Sequence, residues 1–167
     1  MPRITHSEIV AFHKTIADAH VGIKGFYRFD MNEIIGQFRS GVPTPALLLE
    51  SHSSDLESQT KMVSNFNSRK ISFLLLDFAG KAGNFNKQNE VLDSLENIAL
   101  DIVSYLVTQN KTNGSWLFGM FDINSVQIEK VGPIFDNMYG WNVIYSLKNH
   151  ESMVFDATKW NFNPEIP

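Results

Sequence analysis

Residues 69–78 read Arg-Lys-Ile-Ser-Phe-Leu-Leu-Leu-Asp-Phe. In an extended chain successive side chains point to opposite faces, so Ile71, Phe73 and Leu75 line one side and Leu74, Leu76 and Phe78 the other. A strand that is apolar on both faces is central in a covered sheet, or it is covered by a partner. A Gly-containing loop over 79–86 follows. Val91, Leu95, Ile98, Ile102, Val103 and Leu106 then recur at helical spacing, which predicts an amphipathic helix over 87–109, roughly 20 residues or ~30 Å long at ~1.5 Å per residue. Its opposite face carries Asp93, Glu96, Asn97 and Asp101.

Outward from this strand–helix pair the chain stays mixed. Toward the N-terminus, Thr5-His6-Ser7-Glu8 reads as a capping box, and Ile9, Phe12 and Ile16 predict a helix over 7–19. Gly22 and Gly25 break that pattern. A second, shorter helix is expected after Asp30, with Ile34, Ile35 and Phe38 on one face and Gly41 at its end. The two prolines of Val42-Pro43-Thr44-Pro45 stop it and lead into a short apolar strand over 46–51. Residues 52–58 are polar and read as a loop or strand end. Toward the C-terminus, Asn113-Gly114 marks a turn, and strands are expected over 116–121 and 126–131. Gly132-Pro133 and residues 137–140 punctuate the chain. Trp141, Val143, Tyr145 and Leu147 alternate with Asn142, Ser146 and Lys148, the signature of a half-buried strand. Helices, strands, one long helix and strands again predict an α+β fold: an antiparallel or mixed sheet with one long helix packed on a face and a helical N-terminal segment. Residues 1–155 read as a single domain and 156–167, proline-broken and carrying Trp160 and Phe162, as a C-terminal arm.

The composition excludes several function classes. With 167 residues, 43% of them hydrophobic and 13 of them Phe, the chain can build a core without staples. It has no cysteine, which removes disulfides, thiol catalysis and cysteine-ligated metal sites. Net charge is -4, and the adjacent basic pair Arg69-Lys70 is too small to displace counterions from DNA, so tight non-specific binding is disfavoured. The first residues lack the apolar core of a secretory signal, and the apolar runs over 46–49 and 73–76 are far too short to cross a bilayer. No membrane association is expected.

Residues that could carry chemistry have plainer readings. His6, His13 and His20 fall seven apart, about two turns or ~10 Å, too far to share one metal ion, and read as helix-surface or boundary residues. His52 lies near Asp55 and Glu57, and His150 beside Glu151; a carboxylate can orient an imidazole, but such neighbours are common in solvated loops. Glu90, Asp93 and Glu96 stand one turn apart, close enough to raise a pKa if held together, yet they fit a solvated helix face better. Neither a nucleophile elbow nor a phosphate-binding loop is present. No catalytic residue, cofactor or metal is therefore expected. Trp116, Phe118, Phe121, Trp141, Tyr145, Trp160 and Phe162 crowd the C-terminal half. Most read as core; Trp160 and Phe162, after the last strand, read as anchors for a neighbour, because Trp and Tyr dominate interfaces.

Three stretches carry a family resemblance: the proline-then-apolar strand over 42–50, the strand over 70–78 followed by the helix from Val91 to Leu106, and the closing strands over 129–132 and 140–147. In this arrangement the chain resembles the tail-terminator and head–tail connector (neck) proteins of tailed bacteriophages. The resemblance implies a C-terminal β-hairpin and a virion structural protein, assembled in the host cytoplasm. It implies a ring homo-oligomer, commonly a hexamer, that caps the tail tube, meets tail-tube and neck proteins, and lets DNA pass through its lumen without specific binding. Such a subunit needs adhesive edges and no active site. The expected interface residues are Ile71, Phe73 and Leu75 on the apolar strand, with Trp160 and Phe162 in the arm. Two other readings stay open: an intracellular binding or adaptor module, and a small enzyme with an acid–histidine site.

Overall fold

The computed structural model describes residues 4–29, 43–58, 64–135, 137–152 and 154–161. Helix α1 (His6–Ala19) begins at a complete capping box: the Thr5 hydroxyl accepts from the Glu8 N–H while the Glu8 carboxylate accepts from the Thr5 N–H at 2.7 Å. Strand β1 (Gly25–Phe29) follows, then β2 (Ala46–Glu50), β3 (Ser53–Ser58) and β4 (Ser64–Phe78). Helix α2 (Phe85–Lys111) starts at the Asn84 cap, and the hairpin of β5 (Phe121–Ile134) and β6 (Met138–Ser152) closes the fold. The fold is α+β, with the long helix packed on the sheet as the sequence predicts.

The six strands form one mixed sheet in the order β1-β2-β4-β6-β5, with β3 also paired to β4. β1 and β2 run parallel and every other pair antiparallel. β2 and β3 lie successively along the same edge of β4. Leu49 faces Phe73 and Ser53 faces Lys70, so residues 50–52 stand against 71–72 and the extra residue makes a bulge there. On β5 the ladder skips between Asp122 and Gln127. The Ser125 hydroxyl fills that gap, donating to the Asp122 carbonyl at 2.6 Å and accepting from the Ser146 N–H at 2.8 Å.

α1 and α2 cover one face of the sheet. Val91, Leu92, Leu95, Ile98, Ala99, Ile102 and Leu106 are the buried stripe of α2, and they share a core with Ile9, Ile16, Leu47, Leu49, Ile71, Phe73, Leu75, Val143, Tyr145 and Leu147. The indole N–H of Trp141 donates to the Leu92 carbonyl at 2.9 Å, tying β6 to the helix backbone. The other face holds a smaller cluster of Ala46, Leu48, Leu74, Leu76 and Met138, flanked by Tyr27, Val131, Ile134 and Phe135. Where β4 and β6 cross at Gly140, a Cβ would run into the Leu75 carbonyl, so only glycine fits that close approach.

Several expectations change. Ile71, Phe73 and Leu75 are each 0% exposed beneath the helices; their apolarity belongs to the protomer's own core, and they are not a subunit interface. Of the two explanations for a doubly apolar strand, the central position holds. Residues 116–120 form turns instead of a strand: Phe118 N–H donates to the Ser115 carbonyl, Met120 N–H to the Leu117 carbonyl, and Gly119 takes a φ of 72°. Gly132-Pro133 lies inside β5, not at its end. Residues 53–58, read as a loop or strand end, are strand β3, and β1 fills a stretch for which no strand is expected. The short helix expected after Asp30 falls outside the described residues.

Candidate functional site

Two buried polar clusters and two exposed apolar regions are the features a function could use. The first cluster lies in the core. His13 is fully buried on α1. Its Nδ1 is 2.7 Å from the Ile9 carbonyl and its Nε2 is 2.7 Å from the Tyr145 hydroxyl. A carbonyl can only accept, so Nδ1 carries the proton and Nε2 accepts from Tyr145. Burial lowers the His13 pKa to about 4, against the raising effect of the Ile9 hydrogen bond, and burial pushes the Tyr145 hydroxyl up. Both groups are neutral and satisfied, and Phe73 and Phe121 pack around Tyr145. This corrects the expectation of a surface or boundary histidine. The available signal was its spacing: His13 stands four residues after Ile9 and three before Ile16, on the apolar face of α1.

The second cluster lies where β4 and β6 run past the N-terminus of α1. Arg69 donates to Glu151 at 2.6 Å, to Asn149, and to the Ile4 carbonyl at 3.1 Å. Asn67 donates to the other Glu151 oxygen at 3.1 Å. All four side chains are buried, and the Asn67 amide oxygen has no hydrogen-bond partner. Burial alone would raise the Glu151 pKa, but hydrogen bonds from Arg69 and Asn67 and the Arg69 charge outweigh it, and the net shift is downward. Arg69 is thus held in an ion pair within the fold, leaving Lys70 as the exposed member of the basic pair. At the edge of this cluster His6 stacks on His52 at 5.4 Å, and Arg28 lies 3.3 Å from His6. Burial, then the His6 and Arg69 charges, lower the His52 pKa.

The acid–histidine pairs suggested by sequence are not assembled. His52 stacks on His6, while Asp55 is exposed on β3. His150 and Glu151 are consecutive on β6 and so point to opposite faces: His150 packs on Phe66 with centroids 3.9 Å apart, whereas Glu151 turns to Arg69. Glu90, Asp93 and Glu96 are exposed on α2, and Glu90 pairs with Lys87 at 3.1 Å. Among the described residues, no three His, Cys, Asp or Glu side chains are grouped to hold a metal ion, and no helix is long and apolar enough to cross a membrane.

The exposed apolar side chains fall in two regions. Leu100 and Tyr105 on α2 and Phe118 in the turn after it are 52%, 40% and 45% exposed. Phe12 and Trp116 pack beside Tyr105, with Phe12 4.9 Å from Trp116. After β6, Val154, Phe155 and Trp160 are 68%, 61% and 55% exposed. Phe155 and Trp160 pack on each other across a short 3-10 turn (Ala157–Lys159) capped by Asp156. Of the five interface residues read from sequence, Trp160 is on the surface, Ile71, Phe73 and Leu75 are in the core, and Phe162 lies outside the described residues. No protein-family model matches the chain, and no curated protein matches it.

Proposed function

We propose that this chain is a structural protein of a tailed-bacteriophage virion, a tail terminator or head–tail joining protein. It assembles in the host cytoplasm as a ring, most simply of six copies, around the DNA channel. The ring caps the tail tube, with tail-tube and neck proteins as its neighbours. The observation that carries this reading is the pair of separate apolar regions on one protomer, one along α2 and one in the arm after β6. A ring closed by head-to-tail contacts joins two different surfaces of each subunit, and large aromatic side chains are the usual anchors of such contacts. The mixed sheet backed by one long helix and closed by a hairpin agrees with the family the sequence resembles, although a fold alone does not determine function. The buried histidine, arginine and glutamate have structural partners, and a net charge of -4 suits a lumen that passes DNA without gripping it.

Negative-stain imaging of the purified protein, alone and mixed with tail tubes, tests the proposal. Closed rings with a central hole that sit on tube ends are expected. A protein that stays monomeric and leaves tube ends bare overturns it. Neighbouring portal, tail-tube or sheath genes are expected beside its gene, and a metabolic neighbourhood argues against the reading.

A further inference from the structure

Between α1 and α2 runs a groove of ≈ 180 Å³ lined by Thr15, Ile16, Ala19, Asp101, Ile102 and Tyr105, with His20 at its edge. We infer that this groove receives Trp160 from the arm of a second copy of this chain, an inference that rests on the ring reading and specifies its seam.

Size comes first. Sites for cofactors and small molecules run to roughly 300–1,000 Å³, so a groove of ≈ 180 Å³ suits one large side chain better than a ligand. Chemistry agrees. Ile16 and Ile102 make an apolar floor, and Tyr105 forms an aromatic wall. The exposed Asp101 carboxylate, 3.5 Å from His20, stands at the rim as an acceptor. An indole has this character, an apolar body with a single N–H donor. Charge also agrees: Lys159, 76% exposed, precedes Trp160 and complements Asp101, 71% exposed. The arm is shaped before it docks, because the Asp156 carboxylate accepts from the Thr158 N–H and hydroxyl and fixes the turn that presents Trp160. That order reduces the entropy lost on binding. Finally, Trp160 is 55% exposed on its own protomer, so the arm does not fill the groove of the chain that carries it. Arm and groove are different surfaces of one subunit, which is the arrangement a head-to-tail ring repeats.

The chain has no cysteine, so disulfide trapping is clean. Ala19→Cys and Lys159→Cys proteins are made separately, mixed at ring-forming concentration and oxidised. Disulfide-linked dimers containing one chain of each variant are expected, in excess of those formed by either variant alone. Trp160→Ala is expected to raise the concentration for half-assembly about tenfold or more, the effect of losing an interface anchor. Asp101→Lys is expected to weaken assembly, and adding Lys159→Asp to the same chain to restore it. These positions are exposed, so the fold is retained, and circular dichroism checks it. Rings that form unchanged in Trp160→Ala, with no mixed cross-link, overturn the seam while leaving the ring reading standing; the groove would then serve a partner other than a second copy. A parent protein that is monomeric at every concentration overturns both.

Discussion

Strands β4 and β6 pass through two regions that share a sheet face and differ in chemistry. Beneath the helices their inward positions are Ile71, Phe73 and Leu75 opposite Tyr145, Val143 and Trp141. Beyond the N-terminus of α1 the same alternation continues as Asn67 and Arg69 opposite Asn149 and Leu147, with Glu151 beyond. The register does not change between them. The covered region is held by apolar packing and one neutral polar pair, and the distal region by an ion pair with three further hydrogen bonds. A satisfied neutral pair needs only correct placement. A buried ion pair must offset its desolvation with geometry, so losing one partner is far worse than losing both.

The distal region should therefore break most severely. Arg69→Ala leaves the Glu151 carboxylate buried without its cation, and about 3–5 kcal/mol of stability is expected to be lost, read from the urea midpoint. Replacing both members, as Arg69→Met with Glu151→Leu, is expected to recover most of that loss. If the double variant is as unstable as the single one, the network has some role other than internal pairing.

Acid should separate the two regions. The His13 pKa is lowered from 6.5 to about 4 in the fold, so between those values the unfolded chain binds a proton that the folded chain refuses. Its contribution is complete above pH 6.5, falls as the pH drops, and levels off below about 4. The change amounts to about 3 kcal/mol at most. Glu151 acts in a lower window: with its pKa held below 4.5, its contribution is present above that value and is lost as pH falls through the folded pKa. Urea titrations at stepped pH are expected to show a first loss that His13→Leu with Tyr145→Phe abolishes, and a later loss that Glu151→Gln abolishes. If neither variant alters the pH profile, the two assignments fail.

Tyr145→Phe by itself removes the donor to buried Nε2 and is expected to lower stability by about 1–3 kcal/mol, read by calorimetry. The smallest effect belongs to the outer face of α2. Asp93→Asn and Glu96→Gln are expected to change stability by about 0.5 kcal/mol or less; a larger change, or a changed pH profile, would revive a role for those acids.

Sequence showed the covered region well and the distal one poorly. The spacing of Val91, Leu95, Ile98, Ile102 and Leu106 marks α2, and the alternation of Val143, Tyr145 and Leu147 marks β6, because both periods report a single buried face. The doubly apolar β4 announced a central strand but not what covered it, and the same ambiguity allowed an interface reading of Ile71, Phe73 and Leu75. Ser53–Ser58 has almost no apolar signal and becomes a strand through pairing along β4. β1 is short, opens on a glycine and takes its place from the neighbouring β2. The aromatic run over 116–120 has strand composition, but i to i+3 hydrogen bonds and the left-handed Gly119 turn it. Arg69 and Glu151 lie 82 residues apart, and no local pattern links such a pair. In the candidate assembly surface, Trp160 was legible because it follows the last alternating strand. The groove was not, since it arises only where α1 crosses α2.

The ring is the central claim, and native mass spectrometry over a concentration series tests it most directly. The account predicts a discrete closed species, six copies of the 19.0 kDa chain, in exchange with monomer at low concentration. A monomer that persists throughout, or a ladder of sizes that grows without closing, would contradict it.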